Sequence, residues 1–334
     1  MAETYLASNI GAAGMEAKYD AQAKKLLSTK VILAWILKYC TDEFAGYEID
    51  EILKHIENPA VASVYVHQDS APFEESFDDG CGDRLIHGVN SEDKPIDEAK
   101  ISYDILFEAS LPDAHPERNK QIKLWINLEA QQKINPGYSL LKRAIYYCSR
   151  LMSRQFGRDV SSPDYDGIQK VYSIWICPTP DRKRYSTINK YTIGETCVLG
   201  DYQDDPANYN VMTAVLVGLD PSKERGNQGH DLSSPEALIG MLSTLLSSQV
   251  SPKEKMNILQ NSYNISTTDT IKEGVEYMCN LSQGIKDETI RANVIGLLRL
   301  GTVSKEDIAK GLNITLAEVE EIAQDMKESS AEQK

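Results

Sequence analysis

The sequence has no uninterrupted apolar run near the roughly 18 residues that a bilayer crossing takes. Its longest candidate, around Val31–Leu37, is bracketed by Lys30 and Lys38. The opening Met-Ala-Glu-Thr has neither the basic nor the apolar stretch of a secretory leader, so a cytoplasmic protein with no membrane partner is expected. Positive charge is scarce: 35 Lys and Arg stand against 50 Asp and Glu, a formal net charge of −15. That balance argues against a surface coated for nucleic acid, since phosphate binding depends on Lys and Arg releasing counter-ions. None of the six cysteines forms a CxxC pair, which excludes the usual zinc and redox motifs; several sit in apolar runs, and all are expected to be reduced core residues. The five histidines show no HxxxH or HExxH spacing. Gly194, Gly200 and Gly218 build no GxGxxG, there is no GxxxxGK[ST], and no Ser sits in a hydrolase elbow. Nucleotide cofactors and serine hydrolase chemistry therefore have no loop to occupy.

What is present is an ordinary globular composition: 334 residues, 41% apolar and 25% charged, enough for one large core or two modest ones. Charge is unevenly spread. Residues 68–99 are strongly acidic, with Arg84 and Lys94 as the only basic residues, whereas basic residues outnumber acidic ones over 138–190.

Apolar periodicity predicts a helix over 15–41 and a short one over 49–56, stopped by Asn58-Pro59. Residues 61–66 read as a strand, and 68–98, broken by Pro72, Gly80, Gly82, Gly88 and Pro95, as a long loop. Period-2 alternation predicts strands over 101–109 and 122–131, paired as a hairpin. A helix over 138–155 follows, with Leu141, Ile145, Cys148 and Met152 as its buried stripe and Arg143, Tyr147, Arg150 and Arg154 on another face. Two more strands, 169–177 and 211–219, are separated by the basic stretch at Arg182–Arg184 and an acidic linker. From about Ser233 six helical stretches run to the end: 235–247, 251–263, 268–282, 288–299, 304–312 and 315–328. The fold class is α/β, a mixed sheet flanked by helices and followed by an all-helical C-terminal region, with domains expected at 1–230 and 231–334.

Chemistry concentrates on the hairpin. Glu129 and Gln131 alternate to one side of their strand, and pairing brings Asp104 to the same side. Two carboxylates beside a neutral amide suit a hard divalent ion, Mg²⁺ with Mn²⁺ as a substitute, which takes oxygen ligands and substrate phosphates. Such an ion polarises a phosphoryl oxygen and acidifies a bound water, the chemistry of phosphodiester hydrolysis, and the basic helix can track the DNA backbone. By spacing alone the two carboxylates read more readily as solvent-facing strand residues.

Five ordered blocks narrow the choice: Tyr19-Asp20 with Lys24-Lys-Leu-Leu-Ser28 and Ile32-Leu-Ala-Trp-Ile-Leu37; Ile101-Ser-Tyr-Asp-Ile-Leu-Phe107; Leu124-Trp-Ile-Asn-Leu-Glu-Ala-Gln131; Pro136-Gly-Tyr-Ser-Leu-Leu-Lys-Arg-Ala-Ile-Tyr-Tyr-Cys-Ser-Arg150; and Val171-Tyr-Ser-Ile-Trp-Ile-Cys177. Over roughly residues 15–220 this series resembles the PD-(D/E)XK nuclease family transposases of the recombination-promoting nuclease (Rpn) group. The resemblance implies a restriction-endonuclease-like core that cuts DNA with Mg²⁺. It puts Asp104 at the metal-holding Asp, Glu129 at the second ligand and Gln131 at the motif lysine. A neutral Gln can orient water but supplies no positive charge to the transition state. Lys142 on the next helix is the first candidate to replace that charge, and Lys133 the second. Arg143, Tyr147 and Arg150 correspond to the group's DNA-binding basic helix. Asp20 is a further ligand candidate, with Lys24 as its partner in an i,i+4 surface pair.

The tail segment 303–323 is patterned as a helix-turn-helix, but its second helix offers Glu318, Glu320 and Glu321, acceptors that repel phosphate. A packing or homo-oligomerisation module is the expected role. The rival to an endonuclease is a catalytically inactive DNA-binding or protein-interaction module that retains the nuclease fold.

Overall fold

The computed structural model describes residues 15, 17–56, 60–61, 92–93, 101–102, 104–110, 123–130, 137–155, 165–225, 231–266 and 268–331. The chain packs as two compact units, Ala23–Val275, and Met1–Gln22 with Glu276–Lys334.

In chain order the first unit runs from the last residues of helix α1 (17–27), which enters it at Ala23, through α2 (Lys30–Cys40) and α3 (Ile49–Ile52) to short strands β1 (Ala60–Val61), β2 (Glu92–Asp93) and β3 (Ile101–Ser102). Strands β4 (Ile105–Ser110) and β5 (Lys123–Ala130) are followed by helix α4 (Leu140–Gln155) and strands β6 (Val171–Cys177) and β7 (Thr187–Thr192). A single turn, α5 (Pro206–Tyr209), then β8 (Met212–Gly218), α6 (Pro235–Leu246) and α7 (Pro252–Tyr263) complete it.

Six strands form one mixed open sheet in the order β1-β4-β5-β6-β8-β7, and β2 and β3 pair separately. β4 and β5 are the expected antiparallel hairpin. β5, β6 and β8 are parallel, and β1 and β7 close the two edges antiparallel. Every residue of β6, Val-Tyr-Ser-Ile-Trp-Ile-Cys, is buried, as a central strand covered on both faces requires. On one face α4 packs Leu140, Ala144, Tyr147 and Leu151 against Val171, Trp175, Ala214 and Leu216. On the other, the Tyr172 hydroxyl donates to Glu43 Oε2 at 2.6 Å, in the segment that leaves α2.

Several expectations change. The helix over 15–41 breaks at Ser28-Thr29, where Thr29 takes an extended ψ of 129° ahead of α2, because short hydroxyl residues favour caps over helix interiors. The stretch between 177 and 211 is not only a basic turn and a linker, since it contains β7. The buried stripe of α4 is Leu140, Ala144, Tyr147, Cys148 and Leu151; of the expected stripe Cys148 is buried, Leu141 and Met152 are partly buried against the same core, and Ile145 is exposed. Turned this way, the helix aims Arg143 and Tyr147 at the sheet.

The unit also continues past the last strand. The Tyr39 hydroxyl donates to the Leu232 carbonyl, and Trp35 meets Tyr263 edge-on at 5.7 Å between ring centroids. The sheet unit therefore extends to Val275, whereas a boundary drawn from the strands alone falls at 230/231.

The remaining helices are α8 (Asp269–Leu300), which begins in the sheet unit, α9 (Lys305–Leu312) and α10 (Leu316–Ala331). The stretches 268–282 and 288–299 are one 32-residue helix, because the intervening Gln283 and Lys286 are good helix formers, Ile285 and Asp287 are tolerated, and the single Gly284 does not break it. Asn313, at φ 55°, ends α9, and Thr315 and Glu318 exchange capping hydrogen bonds at the start of α10. Val294 of α8 shares a core with Ile308, Ala309 and Val319, so the helix-turn-helix pattern buries its apolar face within its own unit. No helix among the described residues is long and apolar enough to cross a membrane.

Cys40, Cys148 and Cys177 are buried as expected, and burial pushes their thiols up to about 12. Cys279 is only partly covered. Cys197 departs from the expectation: it is exposed, in a segment where Val198 and Leu199 are 94% and 95% exposed.

Gly218 ends β8 against the turn before β7, and a Cβ there would lie 2.1 Å from the Arg184 carbonyl oxygen. The clashing atom is backbone, with the Thr187 hydroxyl 3.1 Å away beside it, so the turn itself would have to shift. Gly218→Ala is expected to cost about 1–3 kcal/mol, the range for overpacking, read as a lower urea midpoint at unchanged slope.

Candidate functional site

The site forms where the hairpin ladder stops. Ile105 and Leu128 are the last paired residues of β4 and β5 on that side. One residue further, side chains replace the ladder. The Asp104 N–H donates to Glu129 Oε1 at 3.0 Å, and the Ala130 N–H donates to Asp104 Oδ2 at 3.2 Å. Asp104 stands in a bend just before β4, not within a strand, and this frees its backbone N–H to turn toward Glu129. The two carboxylates are thus brought together, as the sequence led us to expect.

Their surroundings are dry. Glu129 is 4% exposed, and its neighbour in register on β6 is Trp175. Burial, and then the negative charge of Asp104, push the Glu129 carboxyl up to about 8; the Asp104 N–H, Arg143 and Lys24 pull the other way without prevailing.

Two cations answer this charge. Lys24 of α1 places Nζ 2.9 Å from Asp104 Oδ1, with side-chain exposures of 13% and 19%. Arg143, in the first turn of α4, lies over aromatic rings, its guanidinium carbon 5.0 Å from the Trp175 centroid and 5.1 Å from that of Tyr147. It donates through Nε and Nη2 to the Tyr147 hydroxyl, at 3.2 and 2.7 Å, and through Nη1 to the Tyr138 hydroxyl at 2.7 Å. Burial opposes its charge, but Tyr147, Tyr138 and Glu129 outweigh this and its pKa lies above the ordinary value.

The other expected residues fall in different places. Tyr147 is buried, so it orients Arg143 rather than presenting itself to a ligand. Lys142 is exposed on α4 and, among the described residues, makes no ion pair with either carboxylate. Arg150 is half-buried two turns along the same helix, and Asp20 is half-buried in α1. Gln131 and Lys133 lie outside the described residues.

Lys24 was not expected here, since its spacing from Asp20 read as a surface pair. The available signal was its position on α1 beside Ala23 and one turn before Leu27, both buried, which puts it on the packed face.

Chemically, the pair offers hard oxygen donors, a requirement for positive charge and flanking cations suited to a phosphate. Among the described residues no third His, Cys, Asp or Glu joins them in a ligand cluster, so a metal held here would keep several waters or substrate oxygens. Comparisons of the chain with models of protein families, with curated proteins and with solved structures find no match.

The raised Glu129 pKa has a signed consequence for stability. The native state holds this proton more tightly than the unfolded chain, so the contribution is full below about pH 4.5 and is lost as pH rises through about 8. The melting temperature should fall across that interval, and the fall should be shallower in Glu129→Gln, which is neutral throughout. Equal slopes in circular dichroism melts of the two proteins would contradict this placement of Glu129.

Proposed function

We propose that the chain is a metal-dependent DNA endonuclease of the restriction-endonuclease-like PD-(D/E)XK type, as its resemblance to the Rpn group suggests. The observation that carries this reading is the Asp104–Glu129 pair. Two carboxylates are locked together by reciprocal backbone hydrogen bonds in a place too dry to hold two negative charges. The donor set fits Mg²⁺ or Mn²⁺, because a hard cation on these oxygens relieves the repulsion that raises the Glu129 pKa. Held by Asp104 and Glu129, the ion supplies Lewis-acid polarisation of a phosphoryl oxygen and a more acidic water.

The chain's own residues do the rest. Glu129 gives up its proton to become a ligand, which makes the site better formed as pH rises toward 8. Arg143, held by two tyrosine hydroxyls, provides positive charge beside the pair for a phosphate. Lys142 and Arg150 extend that charge along α4, and Gln131 helps orient the attacking water. The mixed sheet with α4 across β6 and β8 is in keeping with such a core, and the acidic α10 fits packing or self-association better than DNA reading.

One observation favours the rival, a non-catalytic binding module. Lys24 already pairs with Asp104, and Glu129 can keep its proton, so neither carboxylate needs a metal. The two readings separate on product.

Purified wild-type protein is expected to nick supercoiled plasmid at low salt with Mg²⁺ or Mn²⁺ and not with EDTA. Asp104→Asn and Glu129→Gln, checked for fold by circular dichroism, should lose at least about 100-fold in rate, since Lewis-acid stabilisation is worth several kcal/mol. A gel shift indifferent to EDTA, with no cleavage, would turn the assignment to the binding module.

A further inference from the structure

A phosphodiester passing through its transition state gains negative charge, and at this site that charge builds beside two carboxylates. The second of them is followed two residues later by Gln131, which is neutral. Positive charge has to come from elsewhere, and two cations reach the pair. Arg143 is committed: three of its N–H groups go to the Tyr138 and Tyr147 hydroxyls, and its plane is packed against Trp175. Lys24 is differently placed. Its helix is anchored by Ala23, Leu26 and Leu27, all buried, so the ammonium is delivered from a rigid element. It lies on Oδ1 of Asp104, the oxygen opposite the one held by the Ala130 N–H. The Asp104 and Lys24 side chains keep 19% and 13% of their exposure, against 4% for residue Glu129, so the Lys24 end of the pair keeps more contact with solvent.

We propose that Lys24 is the lysine of this active site, contributing from α1 the charge that meets the scissile phosphate, and that the same ammonium competes with a divalent ion for Asp104. The proposal rests on the nuclease reading above. It carries a signature that a purely structural lysine does not. An ammonium on a ligand oxygen weakens binding of a second cation, while an ammonium on the phosphate speeds the reaction. Removing it therefore moves metal affinity and rate in opposite directions, whereas loss of a structural residue lowers both.

The test uses the full chain with Lys24→Met and Lys24→Arg. Mn²⁺ binding without DNA is followed by the electron paramagnetic resonance of the free ion, and single-turnover plasmid nicking is measured at saturating Mn²⁺. Lys24→Met should bind Mn²⁺ more tightly than wild type and nick about 100-fold or more slowly, the scale for losing one transition-state donor. Lys24→Arg, which keeps the charge, should recover much of the rate. Weaker Mn²⁺ binding together with a slower rate in Lys24→Met overturns the proposal in favour of a structural lysine. Equal nicking by Lys24→Met and wild type overturns it while leaving the nuclease reading in place. No metal-dependent nicking by wild type removes that reading and this proposal together.

Discussion

Where β4 and β5 stop exchanging backbone hydrogen bonds, Asp104 and Glu129 take over, each accepting an N–H from the other's strand end. The arrangement is self-locking, because separating the carboxylates leaves two amides without acceptors, and hydrogen bonds to charged groups contribute about 1.5–3 kcal/mol each. It also resists a second negative charge, because the place is poorly solvated and Asp104 is close, and so Glu129 holds its proton. The rest of the site answers that constraint. Lys24 comes from a helix at the start of the unit and Arg143 from the helix that follows β5, and both bring positive charge to the same spot.

The sheet explains why these two helices can do so. β5 and β6 are parallel, so the chain must cross back over one face between them, and α4 is that crossover. Arg143 lies in its first turn, and its charge acts on Glu129 at the carboxyl end of β5. Trp175 then serves twice: it fills the core under α4, and it gives the guanidinium a flat apolar surface. A central strand buried on both faces makes this placement rigid.

Much of this was readable in advance. Alternating residues announce the β4–β5 hairpin, and the largely apolar runs of β6 and β8 announce two further strands. Asp104 and Glu129 follow from strand periodicity plus a hairpin. Other features were hidden for physical reasons. β7, Thr-Ile-Asn-Lys-Tyr-Thr, is an edge strand with mostly exposed side chains and so shows no apolar face. The rotation of α4 depends on burying Tyr147 in place of Ile145, a choice made by Arg143 and Trp175 rather than by hydropathy. Lys24 meets Asp104 only through tertiary packing, and an i,i+4 neighbour in sequence masks that destiny. The unit boundary at Val275 is hidden likewise, because α6 and α7 look like a helical tail until Trp35 and Tyr39 are seen to hold them.

The cysteines divide the molecule in a way useful at the bench. Burial keeps the thiols of Cys40, Cys148 and Cys177 protonated at neutral pH and shuts them away from reagents. Cys197 stands in the open beside Val198 and Leu199. Alkylating reagents therefore have an accessible target on the segment between β7 and β8, while the buried thiols become reactive only as the sheet unit opens. Timed labelling turns these three residues into a native-state clock for opening of the core, with Cys197 as the internal standard for reagent strength.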